Sequence, residues 1–535
     1  MKYKNYIIES NLLLYILLPV FSIFLPLTST LVDTGESLLS ITSILCFVVV
    51  ALLSIIPGIL LLISKSFLRC IILTVLMVLT FYALYFSVEK PSFNSIPFGD
   101  YGVIFLCMLS SFPVIWLLRD NIVKILLVAV IVLWFGMLLT PQKHEVGSKV
   151  EYGLNNVALN KSQPRYIHIV LDQHIGVEGV LLNNKIKSEK IRNILVKQYT
   201  VNGFDVYGRA YSQYNQSLYS FPTFMNLSRT DEPGLFLKEK KFGAELIRNK
   251  VFDLLSNKNY RINLYQTNYM DMCDTSKYDF NKCDTYTLNK LYDDSLDTRY
   301  KIEIIFNKLV GRYMLLGTWR RISSSKFGLA LGVPKWPPLK TDAFASASLN
   351  MMKQLKNDVL NSKRGEAFFA HIMLPHFPYL LDRDCKMIML VPEVQTEDDY
   401  FAQLECIQKV LADFILSMKS SNILNDSIVV VHGDHGSRII NPPPSLNSPP
   451  SKNYISWHST FYAIHMPNVS KSEYYLKPMS ISDLLREVHH NNKADILKNN
   501  SKHVYITPGG YIAKDYKFIS KLLPPFKNGE IVESW

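Results

Sequence analysis

The sequence predicts an α-helical membrane domain of five transmembrane helices, followed by an α/β domain whose mostly parallel sheet is covered by helices. Three observations carry this. Apolar residues concentrate before about residue 140; strand and helix patterns alternate after about residue 165; three candidate strands end in Asp or His. The expected boundaries are a membrane domain over 1–140, a linker over 141–164 and an extracytoplasmic domain over 165–535.

Five apolar runs, Asn11–Val32, Leu38–Ser64, Leu68–Val88, Tyr101–Leu118 and Ile122–Thr140, are each long enough to cross a bilayer, which takes about 20 residues. The first is too long, and too closely followed by others, for a cleaved leader, so it reads as an anchor. Lys2, Lys4, Lys65, Arg69, Arg119 and Lys124 fall on one side. Asp33, Glu36, Glu89, Lys90 and Asp100 fall on the other. Positive residues stay in the cytoplasm, so an odd number of spans exports everything after Thr140.

The net charge of +12 suits an anionic partner such as a membrane surface or a phosphate-bearing glycan. No Lys/Arg stripe with interleaved aromatics is present, which argues against nucleic acid. Cys46, Cys70 and Cys107 lie in or beside the spans. The other four lie in the exported part, where an oxidising compartment favours the pairs Cys273–Cys283 and Cys385–Cys406.

Strands are expected at Tyr166–Asp172, Phe204–Ala210, Tyr260–Gln266, Ala367–Leu374, Ser427–Val431 and Phe461–His465. Helices are expected at Ile186–Thr200, Ala244–Ser256, Phe344–Leu360 and Asp399–Lys419. Pro141 to Pro164 reads as a linker, and the Pro/Ser segment after Asn441 as a loop on the rim of a site. Lys308–Lys335, with Trp319, Arg320 and Arg321, is read either as an interfacial element on lipid or as a surface loop.

Ligands of open α/β sheets sit beyond the carboxyl ends of the strands. Asp172 follows YIHIVL, His376 follows AFFAHIML, and Asp434 with His435 follows SIVVV. Three strands delivering Asp, His and Asp-His to one edge point to a metal site. His168, inside a strand, reads as core, whereas His489 and His490 read as solvated. Arg438 either grips an anionic oxygen or forms a salt bridge within its own loop. The segment Ser212–Asn226 follows a strand and opens a helix, which places a hydroxyl in the positive field of a helix N-terminus.

Together these residues resemble the alkaline phosphatase–sulfatase superfamily, and in architecture its membrane-anchored phosphoethanolamine transferases and lipoteichoic acid synthases. HGDHG at His432–Gly436 is similar to the family's Asp-His-Gly metal motif, and Asp172 in VLDQH to its first acidic ligand. SLYSFP at Ser217–Pro222 has the Thr-x-x-Ser-x-Pro spacing of the transferase nucleophile loop, with Ser217 in place of Thr. His371–Tyr379 resembles the substrate-side histidine segment, and His458 takes the displaced downstream histidine role in preference to His465. Phe224 stands where the formylglycine box of true sulfatases requires Arg, which argues against arylsulfatase chemistry.

The resemblance implies a divalent metal, Zn²⁺ or Mn²⁺, on Asp172, Ser217, Asp434 and His435, with Ser217 as nucleophile. His371, His376, Arg438 and His458 are then substrate-side residues. It further implies a phospholipid donor, a glycan or lipid acceptor in the cell envelope, and a bacterial inner-membrane protein with a periplasmic catalytic domain. The expected reaction is transfer of phosphoethanolamine or phosphoglycerol. The alternative is a sulfatase-like hydrolase, a phosphatase, phosphodiesterase or sulfuric ester hydrolase that uses water as acceptor.

Overall fold

The computed structural model describes residues 2–88, 99–118, 120–139, 148–151, 160–180, 185–240, 243–274, 277–278, 280–286, 298–312, 322–323, 325, 344–388, 395–439, 452–468, 472–490, 504–507, 521–522, 526–527 and 530–531. The rim loop after Asn441 and Trp319 to Arg321 lie outside these residues. The chain forms two compact units, 1–145 with 289–341, and 146–288 with 342–535.

The first unit holds helices α1 (Lys2–Thr34), α2 (Ile41–Ile63), α3 (Ser66–Val88), α4 (Gly99–Leu118) and α5 (Asp120–Leu139). Four of them are long and apolar enough to cross a membrane among the described residues, and the apolar stretch described in α4, Ile104–Leu118, is shorter. Apolar side chains turn outward along them, Leu52, Ile56, Leu109 and Val132 among them, as a lipid solvent permits.

A helix far along the sequence, Thr298–Arg312, belongs to this same unit. Its Ile305 and Leu309 pack with Leu27, Leu31, Cys46 and Val50. Lys301 pairs with Glu36 at 3.5 Å, and Arg312 pairs with Asp33 and bonds Ser29. The expected unbroken domain over 165–535 is therefore interrupted at 289–341. The segment's apolar face and its two cations complement α1 and α2, a match that sequence position conceals.

The second unit is built on a nine-stranded sheet. Its strands in chain order are β1 (Ser148–Glu151), β2 (Arg165–Leu171), β3 (Asp205–Tyr207), β4 (Arg261–Thr267), β5 (Phe280–Tyr286), β6 (Glu366–Ile372), β7 (Ser427–Gly433), β8 (Tyr462–His465) and β9 (Tyr474–Tyr475). They are ordered β1-β5-β4-β6-β2-β7-β8-β3-β9 in space. The centre, β5-β4-β6-β2-β7, is parallel throughout. Strands β2, β6 and β7 are buried almost end to end, as a parallel sheet covered on both faces requires.

Helices α6 (Lys185–Thr200), α7 (Ser217–Met225), α8 (Phe344–Leu360), α9 (Glu397–Ser420) and α10 (Lys452–His458) belong to the same unit. The expected disulfides, Cys273–Cys283 and Cys385–Cys406, are both formed.

Three expectations need correction, and one strand was not expected at all. The linker over 141–164 contains β1, which pairs antiparallel with β5. Strand β5 reads FNKCDTY, too polar to signal a strand, and it forms because β4 offers it a partner. The helix expected over Ala244–Ser256 is a short strand, Ala244–Leu246, followed by a helix over Lys250–Asn257 that Asn249 caps through Phe252 N. Finally, His489 is buried with Nε2 3.3 Å from the Tyr166 hydroxyl, not solvated.

Candidate metal centre and nucleophile

Strands β6, β2 and β7 run side by side, with Leu171 opposite both Ile372 and Gly433. Their carboxyl ends are therefore level. The chain leaves them under tight backbone control: Asp172 N donates to Ile372 O at 2.8 Å, and Asp434 N to Leu171 O at 3.1 Å. Two glycines permit the approach in HGDHG. A Cβ at Gly433 would lie 2.6 Å from the His174 carbonyl, and one at Gly436 2.4 Å from that of Ser456.

Asp172, Asp434 and His435 place one ligand atom each within 4.8 Å of the others, and all three residues are buried. His435 Nε2 lies 3.8 Å from Asp172 Oδ1 and 3.5 Å from Asp434 Oδ2. Asp434 Oδ1 accepts from Gln173 N at 2.9 Å and His435 N at 2.8 Å, which aims Oδ2 at the cluster. Neither Asp172 Oδ1 nor Asp434 Oδ2 has a hydrogen-bond partner. Buried carboxylate oxygens without donors are costly.

The two carboxyls are driven apart. Burial pushes Asp172 up, but His376, His371 and His435 around it outweigh that and hold it below the usual carboxylate range. Burial and the charge of Asp172 push Asp434 well above that range. Burial, then Arg438, keeps His435 well below its ordinary value, so its imidazole is neutral and a competent ligand. Two carboxyl groups with buried oxygens that lack donors, beside a neutral imidazole, fit a divalent cation, whose charge would favour the ionised form of both.

Ser217 opens α7 and donates from Oγ to Asp172 Oδ2 at 3.2 Å. Its position follows from the helix it heads, because Phe221, Phe224 and Met225 are buried in the main core. Phe221 packs edge-on against His371, ring centroids 4.5 Å apart. The hydroxyls of Ser220 and Thr223 are committed elsewhere: Ser220 Oγ donates to Tyr214 O and Thr223 Oγ1 to Tyr219 O, each at 2.9 Å.

The substrate-side residues divide. His371 Nε2 is 3.6 Å from Asp172 Oδ2, and the ring is fully buried. His376 Nε2 is 4.0 Å from Asp172 Oδ1, its side chain partly open to solvent. Arg438 reaches His435 Nε2 at 2.8 Å and donates from Nε to Asn215 O at 2.9 Å, which ties it to the cluster and to the residues before α7. His458 directs Nδ1 to Ser212 O at 3.1 Å, beside the start of the nucleophile segment. His465 bonds Ser427 O, back along the sheet. His168 and His432 face each other in the core, Nε2 to Nε2 at 2.7 Å. Thus the first histidine of HGDHG is structural and the second belongs to the cluster.

Sequence reading missed the scaffold that holds these groups. Tyr400 on α9 accepts from Ile175 N at 2.9 Å and donates to Gln173 O at 3.0 Å. Gln403 donates to His376 O at 2.9 Å and accepts from Leu380 N at 2.7 Å. Gln408 meets His174 Nε2 at 2.8 Å. Gln173 itself, at φ 64°, accepts from Phe377 N at 2.9 Å. The available signal was a polar residue at 400, 403 and 408 on the apolar face of an amphipathic helix.

No family model and no curated protein matches the chain. Among solved structures it is similar to the C-terminal periplasmic domain of EptC from Escherichia coli in complex with Zn. That match has 12% identity over 64% of this chain and 85% of the other, with a TM-score of 0.35. It is similar to an alkaline phosphatase superfamily protein from Vibrio parahaemolyticus, at 9% identity, 64% and 72% coverage and a TM-score of 0.39. It is similar, too, to the lipoteichoic acid synthase LtaP from Listeria monocytogenes, at 16% identity, 65% and 78% coverage and a TM-score of 0.35.

Proposed function

We propose that this membrane protein is a metal-dependent transferase that moves phosphoethanolamine, or phosphoglycerol, from a phospholipid to an exported glycan or lipid. The observation that carries the reading is Ser217 Oγ at 3.2 Å from Asp172, beside a buried set in which Asp434 and His435 complete three ligand atoms within 4.8 Å. Asp172, Asp434, His435 and Ser217 Oγ would hold the ion, and a bound Zn²⁺ or Mn²⁺ supplies a lowered hydroxyl pKa and charge neutralisation.

Ser217 Oγ attacks the phosphorus of the lipid headgroup. The Oγ–P bond forms as the serine hydroxyl gives up its proton, the bond from phosphorus to the diacylglycerol oxygen breaks, and that oxygen takes up a proton. His376 and His458 move this proton and steady the non-bridging oxygens. An acceptor hydroxyl then attacks the phospho-serine, gives up its proton and restores Ser217. The apolar helices support a lipid donor, because they hold the chain where the headgroups lie. The cell is proposed to be bacterial, with the sheet domain on the periplasmic side of the inner membrane.

Purified protein given labelled phosphatidylethanolamine or phosphatidylglycerol, with and without envelope glycans, tests this. Diacylglycerol release that requires a glycan, with the headgroup recovered on it, is the expected outcome. Release at the same rate without any glycan would assign a hydrolase instead.

A further inference from the structure

Arg438 makes a contact that a ligating His435 cannot share. The His435 Nδ1 atom lies 2.8 Å from the Gly436 carbonyl. A carbonyl only accepts, so Nδ1 carries the ring hydrogen and Nε2 presents its lone pair. Arg438 Nη2, which only donates, sits 2.8 Å from that Nε2. The same Nε2 is the atom that faces Asp434 Oδ2 at 3.5 Å and Asp172 Oδ1 at 3.8 Å. One lone pair serves one electrophile: a guanidinium hydrogen or a cation.

The rest of Arg438 is fixed by other bonds. Its backbone is in the left-handed region at φ 60°, and its N–H donates to Ser456 O at 3.1 Å. Nε donates to Asn215 O at 2.9 Å, and the guanidinium carbon lies 5.7 Å from the Trp457 ring centroid. Asn215 lies two residues before Ser217, the head of α7. A guanidinium that lets go of His435 therefore stays beside the nucleophile.

We propose that Arg438 holds the place of the metal on His435 and, once the metal displaces it, turns the same N–H toward an anionic oxygen of the phosphoryl group. The ion thus exchanges one positive partner of His435 for another, and the site becomes an anion receptor only when loaded. This rests on the metal reading above.

The test uses full-length protein in detergent, stripped with a chelator and titrated with Zn²⁺ against a chromophoric competitor. Arg438→Gln is expected to bind Zn²⁺ about tenfold more tightly than wild type, because no like charge has to be displaced. Arg438→Lys, which keeps the charge but loses the fork, is expected to tighten binding by less, and decides the matter should the glutamine variant not fold. Inorganic phosphate should raise the Tm of the zinc-loaded wild type and shift Arg438→Gln less. A folded variant with unchanged or weaker Zn²⁺ affinity overturns the competition, and an equal phosphate shift overturns the anion role. Wild type that binds no Zn²⁺ removes the metal site itself, a different failure.

Discussion

Ser217 Oγ donates to Asp172 Oδ2 at 3.2 Å, joining the head of α7 to the tip of β2 across 45 residues of chain. The bond places the Ser217 hydroxyl against a carboxylate that its histidine neighbours keep ionised, whereas Ser220 and Thr223 spend theirs on backbone carbonyls. A nucleophile and a ligand are thereby positioned by one contact.

Ser217→Ala should cut diacylglycerol release by about a thousandfold or more, since covalent catalysis loses its attacking atom. Ser220→Ala and Thr223→Ala should stay within several-fold of wild type. Ser217→Thr, which keeps a hydroxyl, should retain activity. Equal losses in all three alanine variants would remove the assignment of Ser217.

Asp434→Asn should weaken Zn²⁺ binding by about a hundredfold, because the buried oxygen that has no donor becomes part of a neutral amide. The rise in Tm on adding Zn²⁺ to stripped wild type should shrink correspondingly. Calorimetric titration of both proteins reads this directly.

Tyr400→Phe should destabilise the sheet domain by about 1–3 kcal/mol, since it strands the Ile175 N–H and the Gln173 carbonyl in the interior. A lower Zn²⁺ affinity should accompany it, because Gln173 N also fixes Asp434. A variant with wild-type Tm and Zn²⁺ affinity would show that α9 does not set the site.

Acid should destabilise the protein above the range in which carboxylates titrate. Burial pushes His174 and His432 down to about 4. The unfolded chain then binds protons near pH 6.5 that the folded chain refuses, so this stability is complete above that pH and drains away toward pH 4. Between pH 7 and 5 each residue should cost about 2 kcal/mol. His174→Gln should flatten the fall of Tm over that interval, and an unchanged slope would exclude its role.

Legibility followed the strength of local signals. Strands β2, β6 and β7 are nearly continuous apolar runs, so their sequence declares both the strand and its burial. α8 spans Phe344–Leu360 as its periodicity indicates. β5 and β1 were invisible because polar strands at the margin of a sheet, β1 as its edge and β5 next to it, are held by their neighbours' hydrogen bonds and not by their own composition. His489 looked solvated because its helix is charged, yet Tyr166 on β2 draws it inside.

The sequence by itself determined five apolar helices' worth of chain, an alternating α/β domain, an even set of exported cysteines, and the residue types that end three strands. These depend on hydrophobic periodicity and compartment, which are local or compositional. Only the tertiary structure decided that β6, β2 and β7 are neighbours in level register, that the two imidazoles of HGDHG face opposite ways, and that Arg438 lies on His435. Those outcomes turn on which distant segment supplies each missing hydrogen-bond partner, and no stretch of chain carries that information alone.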